Sequence, residues 1–281
     1  MYTAKIQNKN GQILTLTQKE QIYQVLSIEG LDPEKATVNL TPIVGVDGAL
    51  FNSSRLETKE ITITLKINGD AEQNRLVLYQ YARTKEWCRF FFSNESRSVY
   101  IDGIVDDFNC NPFEESEIAQ IVILCPSSYF SDLTEIIDDI SSTVSLFTFP
   151  FSINEDEPIP ISELIENREA NVINSSETEV GITIEVTFFS AANSVEIRNA
   201  TTGEDITVNY SFQNLDVLKI VTVKGKKSLR LMRDGNEINL FPALKKGSVL
   251  FQLQIGSNIL EYQSDGDVNI KLYHSNLYRG V

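Results

Sequence analysis

Alternating apolar and polar residues run through most of this 281-residue chain and predict a mainly β protein. The clearest example is Lys59–Ile67, in which isoleucine and leucine alternate with glutamate, threonine and lysine. This period of two predicts a strand with one buried face and one solvent-exposed face. Ile118–Leu124 is nearly all apolar and predicts a central strand buried on both faces. Similar signals predict strands at Ala4–Gln7, Gln12–Thr17, Tyr23–Glu29, Ala36–Leu40, Trp87–Phe92, Ser98–Ile101 and Ile104–Phe108.

One amphipathic helix is predicted directly after the strand Lys59–Ile67. Asn68-Gly69 breaks that strand, and Asp70 is placed to cap a helix, with Gln73 in the capping-box position. Leu76 and Tyr79 lie off the buried face of this helix, so we expect them to reach a second surface. The helix is predicted from Ala71 to about Arg83, and its buried face consists of Ala71, Val77, Leu78, Tyr81 and Ala82.

The stretch from Thr41 to Thr58 lacks periodicity and predicts an unusually long loop. It carries Leu50, Phe51 and Arg55, which have no local core to join. Exposed apolar groups of this kind usually mark an interface. The candidate subunit-interface residues are therefore Leu50, Phe51, Arg55, Leu76 and Tyr79. A plain long hairpin or a disordered loop remains the alternative.

The second half of the chain is predicted to form a separate β domain. From Gly181 onward, glycine-containing turns recur about every 8–12 residues between short alternating strands, which is typical of an antiparallel sandwich. The sequence thus predicts a first domain over residues 1–130 and a second over residues 181–281. Between them, Leu133–Ile140 is interpreted as a short helix and Thr143–Ile153 as a strand.

The charge distribution supports a junction between these domains. The net charge of −15 argues against binding to nucleic acid. Residues 131–180 hold one basic and 12 acidic residues, whereas the flanking segments are nearly balanced. We interpret residues 131–180 as an acidic junction segment. The three cysteines are expected to be reduced thiols, and no apolar run is long enough to span a bilayer, so no membrane insertion is expected.

The sequence offers little equipment for catalysis, so neither enzymatic activity nor a cofactor or metal site is expected. His274 is the single histidine and is interpreted as a surface residue on the face opposite Leu272. Asp102, Asp106 and Asp107 form a charge cluster, but one strand sends neighbouring carboxylates to opposite faces. A carbohydrate-binding or host-adhesion module is the alternative function, and its candidate stacking residues are Tyr210, Tyr262 and Tyr273.

Several short motifs in a fixed order extend over both domains. They are Ile28-Glu29-Gly30-Leu31 followed by Pro33, Asp47-Gly48, the strand Lys59–Ile67 leading to Gly69-Asp70, Arg75 before Leu78-Tyr79-x-Tyr81, Tyr100-x-Asp102-Gly103, Cys125-Pro126 followed by Tyr129-Phe130, Gly256-Ser257-Asn258, and Tyr278-Arg279-Gly280-Val281. With these motifs the chain resembles the distal tail proteins of long-tailed bacteriophages, the siphovirus tail-component family. It departs from that pattern at Ser127-Ser128, where the family often has an acidic-Pro pair.

This resemblance implies a fold, a place and a set of partners. The fold would be an N-terminal β-sandwich-like domain with one α-helix, followed by a galectin-like antiparallel sandwich. The first domain would form a hexameric ring that joins the tail tube protein to a tail-associated fibre or lysin protein and, in some phages, to receptor-binding proteins. The protein would be made in the bacterial host cytoplasm and would end in the baseplate at the virion tail tip. A phage, a prophage and a bacteriocin-like particle all remain open.

Overall fold

The computed structural model describes residues 2–17, 22–112, 117–141, 144–145, 162–163 and 169–281. The chain divides into two compact units. The first unit is Met1–Leu133 together with Leu277–Val281, and the second unit is Thr134–Asn276. The predicted mainly β class with one α-helix is confirmed for the described part of the chain, which adds a 3-10 turn at Phe241–Ala243.

The first unit contains the α-helix and eleven of the strands in the described part. The strands of its main sheet are β1 (Thr3–Asn8), β2 (Ile13–Leu16), β3 (Tyr23–Glu29), β6 (Lys59–Ile67), β7 (Trp87–Ser93), β8 (Ser98–Cys110), β9 (Ile118–Cys125) and β10 (Phe130–Asp132). A separate hairpin is formed by β4 (Ala36–Pro42) and β5 (Ala49–Leu56), and the helix is α1 (Ala71–Tyr81). The remaining strand of this unit, β23 (Leu277–Tyr278), comes from the end of the chain.

The main sheet of the first unit curves until its two edges meet. Its strand order is β2-β1-β7-β8-β9-β6-β3, with antiparallel pairing throughout, and β10 and β23 are attached beside β8. A parallel bridge between Thr17 and Gln24 then links the two edge strands. The result is a barrel-like closure, which leaves little open edge for unwanted pairing.

The core of the first unit lies inside this curved sheet. Strand β9 contributes through alternate residues: Ile121 and Ile123 are fully buried, whereas Ile118 and Leu124 are 38% and 40% exposed. The prediction that Ile118–Leu124 is buried on both faces was therefore wrong. The apolar run places β9 centrally between β8 and β6, as expected, but no second layer covers its outer face in the described part of the unit.

Helix α1 forms as its sequence signals predict. The Asp70 carboxylate accepts a hydrogen bond from the Gln73 amide at 3.3 Å, which caps the first turn. Leu78 is completely buried and Ala82 is nearly so, while Val77 and Tyr81 are only partly covered. The helix thus inserts one turn into the core and leaves most of its surface to solvent.

The second unit is built from twelve strands in the part of the chain that the structure describes. These are β11 (Ile136–Asp139), β12 (Val144–Ser145), β13 (Ser162–Glu163), β14 (Glu169–Asn174), β15 (Thr183–Phe188), β16 (Ala192–Asn199), β17 (Glu204–Phe212), β18 (Val217–Val221), β19 (Ser228–Arg233), β20 (Asn236–Asn239), β21 (Gly256–Ser264) and β22 (Val268–His274). One antiparallel sheet has the order β11-β22-β15-β18-β19-β20, and a second has the order β14-β21-β16-β17. A large apolar core draws buried residues from both sheets, and the predicted antiparallel sandwich is confirmed.

The structure places the junction residues differently from the sequence interpretation. Ile136–Asp139 is a strand paired with β22 and is not part of a helix. Glu169–Asn174 is likewise an edge strand of the sandwich, paired with β21. Both segments form strands because each is hydrogen-bonded to a neighbouring strand that is distant in the sequence. The local sequence does not reveal such a partner. Apart from Val144–Ser145, the predicted strand Thr143–Ile153 lies outside the described residues, as does the centre of the acidic segment.

The last residues of the chain return to the first unit, although the sequence analysis assigned them to the second. Strand β23 pairs with β10, and the Val281 amide donates to the Leu31 carbonyl at 3.0 Å. The Arg97 guanidinium donates to the Gly280 carbonyl at 2.7 Å and lies over the Tyr278 ring. These contacts hold the C-terminal tail against the loop that follows β3.

Candidate assembly surfaces

The hairpin formed by β4 and β5, here called the arm (residues 36–56), carries three of the predicted interface residues. The prediction of an irregular loop from Thr41 to Thr58 was wrong, because Ala49–Leu56 is a strand paired with Ala36–Pro42. The alternative of a long hairpin agrees with the structure. Leu50 and Phe51 are 59% and 60% exposed, and Arg55 is also exposed. Successive residues of a strand point to opposite faces, so both faces of the arm present apolar groups.

The composition of the arm suits a surface that is covered in an assembly. Its exposed apolar residues are Val38, Leu40, Ile43, Val44, Val46, Leu50 and Phe51. Its only charged residues are Asp47 and Arg55. A two-stranded hairpin is marginally stable by itself in water, and a long uncharged edge strand invites pairing with another chain. The arm thus has the features of an interface and few of those that keep a free edge soluble.

The base of the arm is fixed by a buried lysine. Lys59 is fully buried, and its ammonium donates to the Asp32 carbonyl at 2.7 Å and lies 2.8 Å from the Glu34 carboxylate. Gly30 has a φ of +86°, and a Cβ placed there would lie 1.9 Å from the Glu60 carbonyl oxygen. Only glycine fits that approach. The loop from Gly30 to Glu34, which precedes the arm, is therefore held tightly against β6.

The other two predicted interface residues lie on helix α1. Leu76 is 49% exposed and Tyr79 is 36% exposed, so both face away from the core as the helical period predicts. The Tyr79 ring packs edge-on against Phe108 at 4.8 Å between centroids, and the Arg75 guanidinium lies 6.0 Å from it. These contacts give Tyr79 a defined orientation. We call Arg75, Leu76 and Tyr79 the helix surface.

A further apolar row on the outer face of the barrel is not among the predicted interface residues. Trp87 pairs with Ile104, and Ile104 pairs with Leu124, so the three side chains share one face across three strands. Trp87 is 52% exposed and Leu124 is 40% exposed. Leu124 of this row belongs to the apolar run Ile118–Leu124. The apolar residues on the outer face of that run were predicted to be buried, so the row was not recognised as a surface.

A cleft of about 390 Å³, lined by both apolar and polar groups, lies beside the seam of the barrel in the first unit. Among its lining residues are Tyr2, Leu16, Val25, Leu26, Phe92 and Val281. The Tyr2 ring stacks on Phe92 at 5.9 Å between centroids. Thr17, Ser27 and Asp32 also line the cleft, which contains no arrangement of nucleophile, acid and base.

Two residues considered for chemistry, His274 and Asp102, are occupied in structural contacts. His274 is buried on the same face as Leu272, so its placement on the surface opposite Leu272 was wrong; residues two apart on a strand share a face. Its Nε2 lies 3.2 Å from an Asp138 carboxylate oxygen. Asp102 accepts two hydrogen bonds from Arg89, at 2.6 and 2.9 Å. Among the described residues, no cluster of three or more histidine, cysteine or acidic side chains could hold a metal ion, and no helix is long and apolar enough to cross a membrane.

The three tyrosines considered for sugar stacking do not converge. Tyr210 lies on β17 and packs against Phe212, whereas Tyr273 lies on β22 in the other sheet. Tyr262 lies on β21 and lines a polar groove of about 410 Å³. The other lining residues of this groove are Glu169, Glu196, Arg198, Glu261 and Gln263. Sugar binding therefore stays a prediction without a built stacking site.

Comparisons with known proteins bear on the fold and the family. Residues 175–278 match the model of the siphovirus-type tail component, C-terminal domain. The fold is similar to that of the Dit (gp 19.1) protein of phage SPP1, described as a paradigm of the hub adsorption apparatus in phages that infect Gram-positive bacteria. That similarity has a TM-score of 0.71 at 15% identity and covers 98% of both chains. A chain of the phage P2 baseplate in its activated conformation with Ca is also similar, with a TM-score of 0.53 at 12% identity over 97% of this chain and 98% of that chain. No curated protein matches the sequence.

Proposed function

We propose that this chain, whose residues 175–278 match the model of the siphovirus-type tail component, C-terminal domain, assembles through its first unit into a closed ring at the tail tip. A role as a structural phage tail protein is supported by the family match over residues 175–278 and by a fold similar to that of the Dit protein of phage SPP1. The ring, its six-fold size and its partners are our inference. The ring would join the tail tube protein to the tail-associated fibre or lysin protein, with receptor-binding proteins as further partners in some particles.

The observation that carries this proposal is the arm. It extends two nearly uncharged strands with exposed apolar residues on both faces, including Leu50 and Phe51. Covering these side chains with a partner removes apolar surface from water, which favours association. The arm therefore has the composition of a surface that binds protein, and every copy of the chain carries it.

Head-to-tail contact between identical chains requires two different surfaces. We assign the arm to one side of the contact and the helix surface with Leu76 and Tyr79 to the other. Such heterologous contacts close into a ring when the rotation per subunit divides a full turn. The number six comes from the family resemblance. The proposed role needs no catalytic step, since a hub acts by binding its neighbours.

A pair of variants tests the proposed contact. Leu50→Ser/Phe51→Ser removes the apolar arm residues, and Leu76→Ser/Tyr79→Ser removes the helix surface. Each variant alone should be monomeric by light scattering. An equimolar mixture should stop at the dimer, because only one wild-type contact can form and the chain of contacts cannot continue. Ile173→Ser, at a residue that is 56% exposed on β14, is the matched control and should leave the ring intact.

Two results would contradict the proposal. If both double variants form the same oligomer as the wild type, neither surface is a subunit contact. If the mixture assembles to the full ring, the contact is not head-to-tail between the arm and the helix surface. Circular dichroism of each variant checks that the fold is retained.

A further inference from the structure

One loop tip of the second unit holds an apolar residue in a costly backbone conformation. Leu215 has a φ of +70°, in the left-handed region, and its side chain is 74% exposed. The other described residues with positive φ are glycines, Lys85 and Asp234. For a bulky side chain this conformation costs about 1–2 kcal/mol, and such strain persists where the surroundings impose it. Asn214, which tolerates this region better, stands one position earlier.

The surroundings of Leu215 are rigid. Its amide donates to the Phe188 carbonyl at 2.8 Å, and the Phe188 amide donates to the Asp216 carbonyl at 3.0 Å. The Phe188 ring is buried and stacks on Phe212 at 4.1 Å between centroids. These bonds continue the pairing of β15 with β18 beyond the last residues of the strands.

A buried carboxylate holds the turn beneath Leu215. Asp216 is 2% exposed, and it accepts hydrogen bonds from the Gln213 amide at 2.8 Å and from Arg233 Nε at 2.9 Å. Arg233 also donates to the Ser211 carbonyl at 2.8 Å. The polar groups of the turn are therefore hydrogen-bonded on the side that faces the protein, while the apolar side chain of Leu215 is exposed to solvent.

A second exposed apolar residue lies beside it. Phe189 is 57% exposed, and its amide donates to the Asp267 carbonyl at 2.8 Å. Because the Phe188 carbonyl accepts the Leu215 amide, Phe189, the next residue of the chain, lies close to Leu215. We call Leu215 and Phe189 together the knob. Two large exposed apolar side chains on one loop tip are a feature that marks binding surfaces.

The rim of the knob is acidic. Four loops meet at this end of the sandwich, at residues 189–193, 213–216, 233–236 and 264–267. Their only basic residue is Arg233, which is already paired with Asp216. Asp234, Asp265 and Asp267 are exposed around the tip. A partner with an apolar socket for the knob would therefore bind with complementary charge if lysine or arginine side chains surrounded that socket.

We propose that the knob of Leu215 and Phe189 docks into an apolar socket, rimmed by basic side chains, on another protein of the tail. This rests on the proposed function for the choice of partner, although the surface is separate from the arm and the helix surface. The second unit would thus attach a different protein to the ring, and the strain at Leu215 would serve to present that side chain.

The experiment uses the full chain and, as probes, the purified tail proteins encoded by the neighbouring genes. Binding of each probe is measured by biolayer interferometry for the wild type, Leu215→Asn, Phe189→Ser and Ile255→Ser. Leu215→Asn keeps a residue that suits the left-handed region, so its melting temperature should be no lower than that of the wild type. Ile255 is 62% exposed in a loop of the same unit outside the four knob loops, and it serves as the matched control.

The proposal expects one probe whose Kd rises at least about tenfold in Leu215→Asn and in Phe189→Ser. Ile255→Ser should bind it within about twofold of the wild type, and Asp267→Asn should slow association at low salt. Unchanged binding of every probe to both knob variants, or no binding of any probe to the wild type, would overturn the proposal. If the knob variants instead lose self-association by light scattering, the occupant is a second copy and the assigned partner is wrong. Loss of the ring in the arm variants with intact probe binding would count against the proposed ring alone.

Discussion

The ammonium of Lys59 lies 2.8 Å from the Glu34 carboxylate, although the Lys59 side chain is completely buried. The pair joins β6 of the barrel to the loop from which the arm departs. Two backbone carbonyls, of Gly30 and Asp32, take the other hydrogen bonds of the ammonium, and the Phe130 ring lies 5.0 Å from it. A buried charge with all its partners in place fixes the geometry of a loop more firmly than an apolar contact would.

Removal of this lysine should destabilise the first unit strongly. We expect Lys59→Met to lower the free energy of unfolding by about 3–5 kcal/mol, because Glu34 and two carbonyls lose their donor. Urea denaturation of the full chain measures the change. Lys9→Met is the control: Lys9 forms a 2.7 Å ion pair with Glu86, but its side chain is 53% exposed, and the cost should stay below about 1 kcal/mol. Equal effects of the two substitutions would contradict the role of burial.

A glycine comparison tests the same loop independently. Gly30→Ala should cost at least about 4 kcal/mol or prevent folding, because its Cβ would lie 1.9 Å from the Glu60 carbonyl oxygen. Gly45→Ala, at a φ of +78° with no atom within 4 Å of the added Cβ, should cost only about 1 kcal/mol of backbone strain. Thermal unfolding of both variants gives the comparison. A Gly30→Ala protein as stable as Gly45→Ala would show that the base of the arm is loose.

The Asp216 carboxylate should make the stability of the second unit depend on acid pH. Burial by itself raises the pKa of Asp216, but hydrogen bonds from Arg233 and from the Gln213 amide outweigh it and lower the pKa. The folded state is therefore favoured at pH values above the ordinary aspartate pKa of about 3.9, and this stabilisation is lost as the pH falls through the lowered value. Asp216→Asn should be less stable than the wild type by about 2 kcal/mol at pH 7. Urea unfolding at pH 7 and below pH 3 should show this difference shrinking in acid, and a difference that stays constant would contradict the assignment.

Thiol labelling tests the core of the barrel. Burial raises the pKa of both Cys88 and Cys125 to about 12, so neither forms a reactive thiolate at pH 8. Cys110 is only partly buried. Ellman's reagent should therefore react first with Cys110 in the native protein and with all three thiols only after unfolding. Rapid labelling of Cys88 or Cys125 in the native state would mean that the sheet opens far more readily than its packing indicates.

Strong alternation in the sequence was enough to locate much of the fold. Tyr23–Glu29 and Lys59–Ile67 are strands with the predicted bounds, and Asp70 caps the helix as its spacing indicates. These elements are determined by local periodicity and capping, which a sequence displays directly. Leu76 and Tyr79 were placed off the buried helix face for the same reason, and both are exposed.

The failures share another cause. Ala49–Leu56 is exposed to solvent on both faces, so apolar and polar residues do not alternate along it. Its pairing with β4 could therefore not be predicted from a period of two. Ile118–Leu124 has apolar residues on both faces, but its outer face is exposed because no second layer covers it in the described part of the unit. Ile136–Asp139 and the C-terminal tail are fixed by partners more than 100 residues away in the sequence. Such non-local pairing, and the strain at Leu215, cannot be derived from neighbouring residues.

The central claim is that identical copies of this chain close into a ring through the arm. The most direct test is native mass spectrometry of the full chain at moderate salt, together with class averages from negative-stain electron microscopy. We predict one species with six times the monomer mass and closed annular particles with six-fold symmetry. A strict monomer, or open filaments of variable mass, would contradict the account.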